Sequence, residues 1–65
     1  MTLDRDQELW ACALAVEKEH GDSAVLHAAM QIDRFDTDGN AAAAKIWREV
    51  LARLISIEQV HGAAH

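Results

Sequence analysis

Four residues carry the spacing that invites metal chemistry. Glu17 and His20 stand three apart, and so do Glu58 and His61. On a helix, side chains three apart project from one face. The same Glu-His pairing serves di-iron carboxylate bundles, which add a further Glu from each of two other helices, buried in the core. Both pairs here fall in final helical turns, and one adjoins Gly21. A histidine in a last turn is already favoured by the helix dipole. Glu17, His20, Glu58 and His61 are therefore candidate ligands only, and the expectation is a chain with no metal and no cofactor.

Other chemistry is thinner still. The run Asp36-Thr37-Asp38-Gly39 resembles the start of a calcium loop. Placing Gly39 at the sixth position puts Arg34 first and Lys45 twelfth, cations where carboxylates must sit. The plainer reading is a glycine turn followed by a helix cap. Cys12 has no histidine at helical spacing, Ser56 has no evident base, and Ser23 is wanted as a cap. No nucleophile, base and orienting group can be assembled, and no glycine-rich phosphate loop exists. An enzyme is not expected. His27 reads as a partly buried, hydrogen-bonded histidine. Trp10 and Trp47 read as core residues, with ligand stacking the sharper alternative.

The elements that position these residues are helical. Proline is absent and alanine abundant. The first helix is expected over 4–20. Asp4 and Gln7 fit a capping box, and Gly21 follows as the residue that enters positive φ without penalty. The second helix is expected over 23–36, capped by Asp22 or Ser23. Gly39, with Asp38 or Asn40 as cap, makes the next break. The third is expected over 41–61, where Ala43, Trp47, Val50, Leu54, Ile57 and His61 recur at helical steps. Short connections make successive helices antiparallel. The expected architecture is all-α: one domain over 1–65, a small three-helix up-down-up bundle completed by dimerisation.

The expected core is Trp10, Leu14, Val16, Val25, Ile32, Phe35, Trp47, Val50 and Leu54, with Cys12 a buried thiol. Leu9 to Val16 is apolar on every side, so more than one neighbour must cover it. The third helix outruns the shorter second one. Leu51, Leu54, Ile55, Ile57 and Val60 are therefore the expected interface of a homodimer.

Charge and hydropathy narrow the function classes. Net charge is −5, and the six basic residues are spread along the chain. A nucleic-acid backbone repels such a surface, so nucleic acid is a disfavoured partner. Lys45 and Arg48, near the start of the third helix, keep a helix-turn-helix reading open. The longest apolar run, Leu9 to Val16, falls far short of the roughly 18 residues that mark a membrane span. No basic segment precedes an apolar one at the N-terminus. A cytoplasmic protein without membrane contact is expected.

The strings Glu8-Leu9-Trp10-Ala11-Cys12-Ala13-Leu14 and Val16-Glu17-Lys18-Glu19-His20-Gly21 resemble the opening of a family of short uncharacterised proteins from alphaproteobacteria and their phages. Ala24, Ile32, the acidic residue before Gly39, Trp47 and Arg53-Leu54 resemble its second half. The likeness covers Gln7 to Leu54, and the tail Ile55 to His65 departs from it. The family is a domain of unknown function, so the resemblance implies a helical cytoplasmic protein and no activity. The expected role is a non-enzymatic protein–protein interaction module, homodimeric and with an unknown protein partner. The alternatives are a DNA-binding or phage-related protein and a metal-binding bundle.

Overall fold

The computed structural model describes the backbone of residues 4–63 and the side chains of residues 4–60. The described chain is all-helical. Helix α1 (Arg5–His20) passes through one 3-10 turn (Gly21–Ser23) into α2 (Ala24–Thr37), and a short break leads to α3 (Ala41–Ala63).

Local chemistry sets these ends. The Asp4 carboxylate accepts from the Gln7 backbone N–H at 2.8 Å. The Gln7 side-chain oxygen accepts from the Asp4 N–H at 3.3 Å, which closes the capping box. Two of the orphan donors at this helix start are thereby satisfied. At the other end Gly21 adopts φ 57, ψ −126, and its N–H donates to the Glu17 carbonyl.

The expected cap of α2 by Asp22 or Ser23 does not form as a side-chain bond at Ser23. A capping residue has extended backbone, whereas Ser23 sits at φ −91, ψ 1. The 3-10 turn instead runs straight into α2, the Ala24 N–H donating to the Gly21 carbonyl.

Helix α2 ends in a Schellman motif. The Gly39 N–H donates to the Asp36 carbonyl at 3.1 Å and the Asn40 N–H to the Phe35 carbonyl at 2.8 Å. Gly39 stands at φ 78, where a residue with a Cβ is strained. Asn40 then caps α3, its side-chain oxygen accepting from the Ala43 N–H at 3.1 Å.

The core is small and mostly alanine. Leu9, Ala13, Ala24, Ala28, Ala44, Val50 and Leu54 are buried. Ala13, Ala28 and Ala44 are wholly inaccessible, so the helices approach closely at residues with little side chain. Val16, Val25, Trp47, Leu51 and Ile57 pack around this centre.

The expected core is corrected at its first two members. Trp10 is 37% exposed and Leu14 54% exposed. Leu9 and Ala13 take their place, because the packed side of α1 admits a short side chain at Ala13 and leaves the indole on the flank. Val16, Val25, Ile32, Phe35 and Trp47 are half-buried rather than central. Cys12, expected to be buried, is exposed. A helix apolar on every side gives no phase from which to tell which side its neighbour takes.

Helix α3 packs on both α1 and α2, which meet one another mainly near their junction. The result is flat, 40 × 32 × 17 Å, with a radius of gyration of 12.4 Å. About 11 Å is usual for a compact chain of this length. The accessible surface is 4760 Å², about 600 Å² more than the scaling for a monomer of this mass gives.

Candidate functional site

Helix α1 ends at a ring stack. The His20 imidazole lies on the His27 imidazole, centroids 3.9 Å apart and planes 17° apart. His27 in turn meets Trp47 edge-on, at 5.6 Å and 77°. The stack joins the end of α1, the start of α2 and the start of α3. Imidazole lone pairs lie in the ring plane, so two nearly parallel rings cannot aim them at one ion. Glu17 and His20 are half-buried and Glu58 is exposed, while the His61 side chain lies outside the described residues. Among the described residues no three His, Cys, Asp or Glu side chains gather around a common point. The geometry of the stack suits packing rather than coordination.

The two arginines of α3 are turned toward acids of the same chain. Arg48 pairs with Asp36 at the end of α2. Arg5 pairs with Glu49 at 3.0 Å. Arg53 bonds to Asp6 and donates to the Glu49 carbonyl at 3.0 Å, and its guanidinium carbon lies 5.7 Å from the centre of the Trp10 ring. The Arg53 side chain is only 19% exposed, and its Nε–H finds no acceptor among the described residues. Arg5, Asp6 and Trp10 thus meet Glu49 and Arg53 in the same order along both helices.

Two open hollows flank the α1–α3 contact. One, of about 400 Å³, is lined by Arg5, Glu8, Leu9, Cys12 and Ile46. The other, of about 220 Å³, is lined by Trp10, Leu14, Ser56, Ile57 and Val60. Among the described residues the second has no ionisable group in its wall. Trp10, in its wall, lies under the guanidinium of Arg53, which pairs with Asp6.

The residues expected at an interface fall into three groups. Leu54 is 1% exposed and belongs to the chain's own core. Leu51 and Ile57 are half-buried. Ile55 and Val60 are exposed, and Val60, at 69%, edges the apolar hollow. Trp10 and Leu14 join that hollow from α1. The sequence reading placed both inside the core, and the all-round apolar run containing them was the signal that one side of α1 stays open.

No helix among the described residues is long and apolar enough to cross a membrane. The sequence model of a family of unknown function (DUF6961) matches residues 5–60. No match was found among curated proteins or among solved structures.

Proposed function

Because the chain belongs to the family of unknown function DUF6961, whose description assigns no activity, we propose a role from its surface: a non-enzymatic helical module for protein–protein interaction, working as a homodimer. The observation that carries this is the imbalance between buried and exposed apolar side chains. Among the described residues larger than alanine, only Leu9, Val50 and Leu54 are buried. Trp10, Leu14, Leu26, Met30, Ile46, Ile55 and Val60 are exposed. Large contiguous apolar patches are uncommon on monomers and mark interaction sites. A two-fold pairing is the commonest way to cover one.

The same reading includes an up-down-up order of helices, completed by the second copy. The matching order of contacts along α1 and α3 supports it, and the flat outline is what an arrangement lacking a further layer would have. A cytoplasmic location and an origin in alphaproteobacteria or their phages belong to it too, supported by the absence of a spanning helix among the described residues and by the sequence likeness. The DNA-binding alternative has less support, since Arg48 is engaged by Asp36 and Arg53 by Asp6. Metal binding through Glu17, His20, Glu58 and His61 is weakened by the stacking of His20 on His27.

Light scattering or sedimentation over a concentration series tests the assembly. A mass twice 7.2 kDa at tens of micromolar is the expected result, and a mass that stays at the single-chain value overturns the homodimer.

A further inference from the structure

We infer that the second copy docks in the apolar groove between α1 and α3, over Trp10, Leu14, Ile57 and Val60, rather than on the far side of α3. This rests on the homodimer reading and assigns it a surface.

Charge selects the place. Each chain carries −5, so two copies repel one another wherever acids face acids. Among the described residues the groove wall, Trp10, Leu14, Ser56, Ile57 and Val60, bears no ionisable group. Arg53, whose guanidinium lies over Trp10 in that wall, is paired with Asp6. Two like-charged chains can therefore meet here without setting one net charge against its copy. The other hollow is less suited, because Glu8 and Arg5 line it and charged groups are depleted at the centres of interfaces.

Size points the same way. The chain exposes about 600 Å² more than a compact monomer of its mass, and one partner of a standard interface buries about 800 Å². That surplus, taken over the whole chain, approaches what one protomer hides in a dimer, which favours a second copy as the occupant. Composition fits as well: aromatic side chains are enriched and charges depleted at the centres of interfaces, and Trp10 stands at this one with its ring backed by Arg53. A rigidly held indole loses little freedom when a partner covers it. A second copy supplies the same indole, so the contact is self-complementary, as a two-fold interface requires.

The test is the mass of Leu14→Lys and Val60→Lys beside the native chain, with Leu26→Lys on α2 as control. Lysine is chosen because it moves the net charge from −5 toward zero, so dissociation cannot be blamed on a larger overall charge. All three positions are more than half exposed. The expected result is a dimer for the native chain and for Leu26→Lys, with dimer association weakened at least about tenfold for both groove variants, or about 1.4 kcal/mol. Groove variants that stay as dimeric as the control overturn the groove and leave the homodimer standing. A native chain that is monomeric overturns both. Groove variants that lose their helical circular dichroism show that the surface belongs to the folded chain's own core, and this also overturns the proposal.

Discussion

Arg53 lies against the face of Trp10, its guanidinium carbon 5.7 Å from the ring centre, while its two terminal nitrogens hold Asp6 and the Glu49 carbonyl. One α3 side chain thus meets both the acidic first turn of α1 and the indole one turn later. The arrangement keeps the indole on the flank of α1 and fixes the edge of the apolar groove.

Replacing Arg53 should loosen α1 from α3. Asp6 is 66% exposed, so the ion pair itself contributes at most about 1 kcal/mol. The cation over the ring adds about 0.5–1 kcal/mol. Arg53→Ala should therefore destabilise by about 1–2 kcal/mol in a urea melt, and Asp6→Asn by less. A double-mutant cycle of the two should show coupling; strict additivity would mean that the pair contributes nothing.

Leu54, rather than the half-buried Trp47, is the side chain on which the core most depends. It is the largest side chain buried to below 2% exposure, and Leu→Ala at such a site costs about 2–5 kcal/mol. Trp47 is half-buried, so Trp47→Ala should fall below the about 3–5 kcal/mol of a fully buried aromatic. Thermal melts of the two variants decide the order. A Trp47→Ala chain less stable than Leu54→Ala would return the indole to the centre of the fold.

The alanine contacts should be intolerant of bulk. Ala13 and Ala28 are wholly inaccessible, and adding methylenes to a packed site costs about 1–3 kcal/mol. Ala28→Leu should lower the melting temperature. Ala11→Leu, at an exposed position of the same helix as Ala13, should change it little. Equal tolerance at Ala28 and Ala11 would show that the helices are not in close contact at Ala28.

Gly21 offers a test of backbone chemistry alone. A Cβ placed there meets nothing within 4 Å, so any cost of Gly21→Ala comes from φ 57, ψ −126. That region costs a residue with a Cβ about 1–3 kcal/mol. A chain of this length is accessible to chemical synthesis, and D-alanine at position 21 should be neutral or stabilising, because the mirror-image dihedrals are ordinary for it. Equal loss with both enantiomers would assign the cost to crowding instead.

Short-range chemistry was the part legible before the structure. Asp4 with Gln7, and Gly39 with Asn40, announce their caps because each needs only neighbours within a few residues. The failures fall where a distant element decides. Trp10 and Leu14 share α1 with Leu9 and Ala13, and nothing within the run Leu9 to Val16 says which pair α3 will cover. The answer depends on close approach at Ala13, a property of the partner's path. The same choice decided the fate of Cys12, which ended on an open side. Of the candidate site, Ile57 and Val60 could be picked out from the length of α3, but Trp10 and Leu14 could not, because large apolar residues default to the core.

The way α3 bridges two helices that scarcely touch has a consequence for the order of events in folding. The ties between α2 and α3 span short stretches, as from Asp36 to Arg48, whereas α1 reaches α3 across 44 and 47 positions in Arg5–Glu49 and Asp6–Arg53. Closing the longer loops costs more chain entropy. The α2–α3 hairpin should therefore form first, with α1 docking onto it last. In the native state the same asymmetry makes α1 the first unit to open, so its amides should exchange with solvent sooner than those around Val50 and Leu54.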